Sequence, residues 1–408
     1  MENRKNRSII NIDYIVLFFV VFGVYALNRT SSVEKKEYSW LIIIAITLIV
    51  SLFHVLKNRK FYFGLYFVFQ VFFLGIAFIS RYWAISPSLS KMGFNSLLLT
   101  AVITFSVINI VDNEENCLLF IKALAWAGIF MFIYLGFKNG FVNLMNIRTS
   151  TQDGIITDVN ANDLGMKCVI SALSSWIYGI NVKDKKTLYY IMTIILVILS
   201  IYTGSRKVII MISFCFGFIY IYFKKNKRIF RFMLVGLMIF ILFYITMNIS
   251  ELYNVVGIRI DETLSLIKKD NISPYSSTGI RLSMINLGKE LFKSKPLLGY
   301  GLANAELFNN GTYLHNNYLE LLVGIGLIGA FVYYLNPILS IIRNIKLFKY
   351  QSDRMALFFL MILSCLLILD YTFVSYNSRA FQLIIAVASH YYIIKKRQIN
   401  FMCNKNEI

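Results

Sequence analysis

The chain has 408 residues, of which 58% are hydrophobic and only 15% charged. A soluble chain of this length carries ~25% charged residues, so a water-facing globule is excluded. The formal charge of +20, from 41 Lys and Arg against 21 Asp and Glu, would suggest nucleic acid on a soluble protein. Here the basic residues lie in short loops between apolar runs, as the positive-inside rule describes. Nucleic acid is therefore dropped as a partner, and a lipid bilayer is the expected surrounding. The apolar runs are unbroken rather than alternating, which argues against a β-barrel.

In chain order, helices are predicted at about 9–27, 39–56, 61–80, 92–111, 117–137, 159–180, 186–202, 206–223, 229–248, 314–335, 355–374 and 379–394. Each is near the ~20 residues needed to span a membrane. The first follows Arg4, Lys5 and Arg7 without a small-residue cleavage site, so it reads as a retained helix. With the N-terminus in the cytoplasm, the inner segments hold about 22 basic residues and the outer short loops about 10; that bias orients the chain. One connection is long. Residues 249–313 form an outer loop between helices nine and ten, and loops of that length are usually functional or disordered. Its run from Arg281 (RLSMINLGKELF) is amphipathic, and Pro296 to Gly301 reads as a turn. The expected organisation is helices one to nine over 1–248, the loop over 249–313, and helices ten to twelve with a cytoplasmic tail over 314–408. The five cysteines (Cys117, Cys168, Cys215, Cys365, Cys403) show no paired spacing, so neither a disulfide framework nor a metal ligand set is implied.

Three polar motifs face the outer side on this topology. Thr203-Gly204-Ser205-Arg206-Lys207 joins helices seven and eight. Thr278-Gly279-Ile280-Arg281 opens the loop helix. His315-Asn316-Asn317-Tyr318-Leu319-Glu320 begins helix ten. In the first two, a Thr or Ser can cap a helix whose first turn holds an arginine. A cation there is disfavoured by ~0.3–1 kcal/mol by the helix dipole, yet free backbone N–H groups and a guanidinium together suit an anion. Two such sites on one face suggest a ligand with more than one phosphate charge. The bland alternative for Arg206 is snorkelling to lipid headgroups. Of three histidines, His54 and His390 fall at cytoplasmic helix ends and only His315 faces outside. A lone histidine is more often structural, but Asn316, Asn317 and Glu320 accompany it. Asn316 and Glu320 share a helix face, and Glu320 lies about a turn into the membrane, where a carboxylate needs a partner or a wet cavity. Asn160, Asn162, Asp163 and Lys167 fall at the same depth, with Asp163 and Lys167 spaced for a structural ion pair. Asp370, Asn377 and Arg379 follow at the outer end of helix eleven. Lys122, at the inner end of helix five, reads as snorkelling. Polar groups crowding the outer half imply a cavity open to the exterior.

These runs resemble a family. TGSRK, TGIRLSM followed by PLLGYGLANAE, and HNNYLELLVGIGLIG are similar to the O-antigen ligase/polymerase superfamily, which includes Wzy-type polysaccharide polymerases and WaaL-type ligases. RYWAISPSLS at 81–90 resembles its early outer loop and VNANDLGM at 159–166 its helix-six motif. The resemblance implies a multi-helix, GT-C-like glycosyltransferase that uses lipid-linked sugar donors. Carried over, Arg206 and Arg281 would hold an undecaprenyl diphosphate, and His315 would be a general base or acceptor-orienting group. Lys207, Asn316, Glu320, Asn162 and Tyr300, the last inside the GYG turn, join them as substrate-binding candidates. No metal and no cofactor is called for.

The chemistry agrees with the residues. A sugar on a lipid diphosphate is already activated, so two arginines to stabilise the leaving group and a histidine to take the acceptor proton suffice. The expected function is a polymerase joining undecaprenyl-diphosphate-linked repeat units of a surface polysaccharide at the outer face of a bacterial plasma membrane, with a chain-length regulator and a flippase as expected partners. The nearest alternative is a ligase passing the glycan to lipid A core or a protein. A lipid or polysaccharide transporter is the rival from another class, and it would place polar groups at the midplane and on both sides of it. A peptidoglycan polymerase lacks its expected loop aspartate context here.

Overall fold

A computed structural model describes residues 11–27, 38–145, 147, 150, 154, 159–182, 185–222, 228–248, 253, 257, 261 and 277–405. Among these the chain is helical, with no strand. The helices are α1 (Ile12–Phe22, continued by a π turn Gly23–Leu27), α2 (Tyr38–Asn58), α3 (Leu65–Ser80), α4 (Pro87–Ile110), α5 (Glu114–Asn139), α6 (Ala161–Asn181), α7 (Lys186–Tyr202), α8 (Arg206–Tyr222), α9 (Arg228–Asn248), α10 (Ser277–Ser294), α11 (Asn317–Gln351), α12 (Arg354–Leu369) and α13 (Arg379–Lys405). Every predicted apolar segment coincides with a helix, and α10 forms where the amphipathic run of the loop predicts one. The rest of the predicted loop before Ser277 lies almost wholly outside the described residues.

The boundaries differ where capping chemistry outweighs hydropathy. α4 starts at Pro87, five residues before the predicted start, because Ser86 accepts from Leu89 N–H and Pro87 occupies the first turn. α3 starts later than predicted, at Leu65, since Tyr62 N–H donates to Asn109 Oδ1 across the bundle at 3.0 Å. α11 runs to Gln351, well past 335, because its polar end (IIRNIKLFKYQ) holds no glycine or proline to stop it before Ser352 turns left-handed at the C-cap. α12 ends at Leu369, and α13 continues to Lys405.

Among the described residues, four helices are long and apolar enough to cross a membrane by length and composition: Leu41–Asn58, Pro87–Ile110, Glu114–Asn139 and Asn317–Gln351. Shorter apolar helices flank them at Ile12–Ala26, Leu65–Ser80, Lys186–Tyr202 and Arg354–Leu369. Large apolar side chains point outward along α2 and α9, among them Ile49, Phe53, Leu56, Phe232 and Phe240. Water would penalise that surface and lipid does not.

α6 lies at the centre of one half, packed on α5, α7 and α8, with α1 on α5. α11 is the centre of the other, packed on α3, α12, α13 and α10. α12 joins the halves through α8 and α6. The helices alternate in direction, so polar groups gather at both ends. One end holds Asp13–His54 (2.8 Å), Asn58–Asp112 (2.9 Å) and Lys395 between Glu114 (2.6 Å) and Asp353 (3.1 Å). The other holds the three sequence motifs. Uncharged polar residues lie between: Gln382 donates to Tyr333 Oη at 3.0 Å, and Gln70 and Asn336 are buried. The expectation that polar groups crowd one half is therefore corrected. The pairs at the first end join residues far apart in the chain, which hydropathy does not reveal.

A backbone clamp steadies the motif-bearing end. α11 breaks at Gly326, whose φ of 69° and ψ of −173° are not helical. The break frees carbonyls that the Pro296–Gly301 turn uses: Tyr300 N–H donates to Val323 O (2.8 Å) and Gly301 N–H to Gly324 O (2.8 Å), while Leu327 N–H donates to Pro296 O (2.9 Å). The 81–90 stretch closes over the turn. Trp83 Nε1 donates to Leu298 O, Ser90 Oγ to Leu302 O, and Ser86 N–H to Asn304 Oδ1 at 2.6 Å.

Candidate active site

The first motif is a tight reversal. Thr203 Oγ1 donates to Ser200 O at 2.7 Å, and Gly204 takes φ 58°, the left-handed region that a residue without Cβ enters without strain. The chain then enters α8 with Arg206 as its first residue. Ser205 Oγ donates to Asn162 Oδ1 at 2.7 Å, so the start of α8 is tied to the start of α6. There Asn160 caps α6 by accepting from Asn162 and Asp163 N–H. Asp163 pairs with Lys167 at 2.7 Å, and Lys167 also donates to Tyr25 O. That pair has the structural geometry expected from its spacing.

The second motif meets the first directly. Arg206 Nη2 donates to Thr278 Oγ1 at 3.3 Å. α10 opens at Ser277, one residue earlier than the pattern suggests, so Thr278 lies inside the first turn and Arg281 falls in the next. The hydroxyl expected to cap its own helix instead reaches across to α8.

The third motif completes the cluster. His315 sits just before α11 with φ 53°, uncommon for a residue with a side chain although histidine is enriched there. Positions held in this region often carry function. The ring lies 4.3 Å, centroid to centroid, from Tyr313. Burial first, then the charges of Arg281 and Lys207, push its pKa down to about 4. Both cations therefore lie within electrostatic reach of the imidazole, and at neutral pH the ring is uncharged. Lys207 is buried, with Nζ 5.0 Å from the Phe373 ring centre. Tyr313 reports the same neighbourhood, for its hydroxyl pKa is raised by burial and then by Asp163, with Arg281 opposing.

The neighbours of His315 hold its loop. Asn316 Oδ1 caps α11 by accepting from Leu319 N–H at 3.0 Å. Glu320 Oε2 accepts from Leu314 N–H at 2.8 Å, which is the partner its depth demands. Asn317 ties α11 to the end of α12: Nδ2 donates to Asp370 Oδ2 (3.1 Å), and Oδ1 accepts from Ser375 and Tyr376 N–H. Tyr300 packs among Ala305, Leu314, Leu319 and Val323, with its ring against Phe308. The contacts seen for Asn316, Glu320 and Tyr300 are thus with the loop and its core. Arg206, Lys207, Arg281 and His315 come together, with Asn162 one residue removed. Tyr313 and Phe373 belong to the same cluster but carry no motif in the sequence; only their places beside His315 and in the 370–378 connection point to them. Among the described residues, no group of three or more His, Cys, Asp or Glu could hold a metal ion.

These features define a multi-pass helical membrane protein with a cationic, histidine-bearing site at one end of the bundle. Residues 191–334 match the family model described as O-antigen ligase. The match spans about a third of the chain, from α7 into α11, and contains all three motifs; over these residues the chain is similar to the O-antigen ligase/polymerase superfamily. That similarity supports a function of the ligase/polymerase type. No curated protein matches the chain.

Proposed function

We propose that this protein is a glycosyltransferase that polymerises oligosaccharide repeat units carried on undecaprenyl diphosphate, working at the outer face of a bacterial plasma membrane through about twelve membrane-spanning helices. The observation that supports it most is the meeting of three separate stretches of chain, with Arg281 and Lys207 acting on an uncharged His315 and Arg206, next to Lys207, bonded to Thr278 at the start of the Arg281 helix. A diphosphate carries the charges that three cations in a partly desolvated site would balance.

In the proposed reaction the acceptor hydroxyl oxygen forms a bond to C1 of the donor sugar while the C1–O bond to the diphosphate breaks. The diphosphate leaves with the electron pair, and Arg206 and Arg281 stabilise its growing charge. The acceptor proton passes to the His315 imidazole. An imidazole with a pKa near 4 is by itself a weak base. A bound diphosphate would offset the Arg281 and Lys207 charges and raise it, so donor binding itself would prepare the base.

A ligase that transfers the glycan to lipid A core or a protein uses the same donor half-site, and the family match does not separate the two. The acceptor separates the two. Purified protein in vesicles, given lipid-linked repeat units alone, should produce a ladder of chain lengths. Product formed only after lipid A core or acceptor protein is added would replace polymerase with ligase. No transfer to any of these acceptors would sink the glycosyl-transfer reading.

A further inference from the structure

The opposite end of the bundle holds a second cationic site. A cavity of about 350 Å³ lies where the start of α1, the first half of α5, the end of α6 and the start of α7 meet. Its walls include Tyr14, Lys122, Trp126, Tyr178, Lys185 and Tyr189. It is far from the candidate active site. Asn162 and Tyr178 are sixteen residues apart on α6, or ~24 Å at the α-helical rise of ~1.5 Å per residue.

Two features of this cavity are unusual. Lys122 and Lys185 face it together and lie close enough to repel each other. Among the described residues neither pairs with a carboxylate, and none lines the cavity. Lys122 instead sits over the Tyr14 ring at 4.3 Å and within 6.0 Å of Tyr178. Rings offset part of the cost of a half-buried cation such as Lys122 but supply no counter-charge. A lysine that merely snorkels would extend to the bulk phase; this one turns into an aromatic-walled space. The cavity also opens onto the N-terminal turn of α7, where Lys185 is the capping residue without a side-chain cap bond. Free N–H groups at that turn favour an anion. Two like charges and a helix N-terminus therefore converge on a space whose described lining residues include no carboxylate.

We propose that this cavity binds a phosphate-bearing anion, with Lys122 and Lys185 as its charge partners and the aromatic wall packing against the organic group that the phosphate carries. The volume is at the small end of the ~300–1,000 Å³ typical of ligand clefts, which suits a headgroup or a small phosphate ester. The cavity lies at the end bearing the Lys- and Arg-rich loops, where basic pockets between helices meet anionic lipid headgroups.

Purified full-length protein in neutral detergent would be titrated with short-chain phosphatidylglycerol, short-chain phosphatidylcholine, glycerol phosphate and inorganic phosphate. The readouts are tryptophan fluorescence and the unfolding temperature. Phosphatidylglycerol should change both, and phosphatidylcholine neither. Trp126→Phe should abolish the fluorescence response and keep the shift in unfolding temperature. Lys122→Gln with Lys185→Gln should weaken binding by about tenfold or more, as loss of two charge-assisted contacts implies, while Lys122→Arg with Lys185→Arg should retain it. Equal responses to glycerol phosphate or inorganic phosphate would support the site and make its source a soluble anion. If no anion moved either readout, or if the double Gln variant unfolded normally and bound as tightly as the parent, the proposal would be overturned.

Discussion

His315 is the residue on which the proposed chemistry turns. Its left-handed backbone means that alanine would disturb both the loop and the imidazole, whereas asparagine tolerates that conformation. His315→Asn should therefore lower the polymerising rate by roughly 10²–10⁴ while leaving the unfolding temperature and donor binding nearly unchanged. Retention of full activity would remove the general-base role. The pH dependence has a definite sign. A histidine whose pKa is pushed down to about 4 stays neutral until the pH falls to that value, so kcat/KM should hold through pH 6 and drop as pH falls through about 4. The kcat profile, which reports the donor complex, should break at a higher pH because the diphosphate offsets the neighbouring cations. A kcat/KM break near the ordinary histidine value of ~6.5 would mean that the site is wetter than its burial indicates. The arginines carry a parallel expectation. Arg206→Ala and Arg281→Ala should each abolish surface polymer at normal protein level, and lysine should rescue poorly because it cannot make a bidentate contact with phosphate. Long chains from the double alanine variant would end the diphosphate reading.

At the level of the element, the break in α11 positions the His315 loop against the Pro296–Gly301 turn. A Cβ at Gly326 would clash with Leu297 O, a contact with backbone that no rotamer can relieve, at a φ that side chains rarely adopt. Gly326→Val should therefore lower the unfolding temperature and reduce activity together, through loss of the Pro296–Gly301 clamp. A variant of normal stability would show that the clamp is dispensable. Asn317→Ala tests the second support. It leaves the Asp370 carboxylate and two buried N–H groups short of partners, at a cost of roughly 1–3 kcal/mol each, and should act on stability before rate. Hydropathy located these helices but not their devices. The start of α4 is set by the Ser86 cap and Pro87, a local signal that hydropathy does not carry. The break at Gly326 lies in an apolar stretch (LLVGIGLIG) that reads as a continuous span, because a glycine's φ is set by the neighbour pressed against it.

For the whole molecule, the alternation of helix directions puts the His315 cluster at one end of the bundle and the Lys395–Glu114–Asp353 group at the other. Which end faces out rests on the bias of Lys and Arg among the loops. Single cysteines at Asn310 and Lys60, both exposed, would test it in intact cells with an impermeant maleimide. Labelling at Asn310 alone is expected. Labelling at Lys60 alone would invert the protein and place the site in the cytoplasm. The spread of polar groups along the bundle also removes one argument against a transporter, so the reconstituted transfer assay, not residue depth, is what separates the two classes.

The sequence by itself determined the class of molecule, the places of the helices and the motifs that carry charge, since hydropathy, loop charge and short polar runs are local properties. It also singled out Arg206, Lys207, Arg281 and His315. Tertiary structure alone decided which of the polar candidates converge. Asn316 and Glu320 spend their side chains on the backbone of the His315 loop, Tyr300 belongs to an apolar cluster, and Tyr313 and Phe373 join the site without a motif of their own. It also decided that Lys122 and Lys185, sixty-three residues apart, share one cavity. Such pairings depend on which helix faces meet, and that is set by packing between segments distant in the chain, where no local pattern records it.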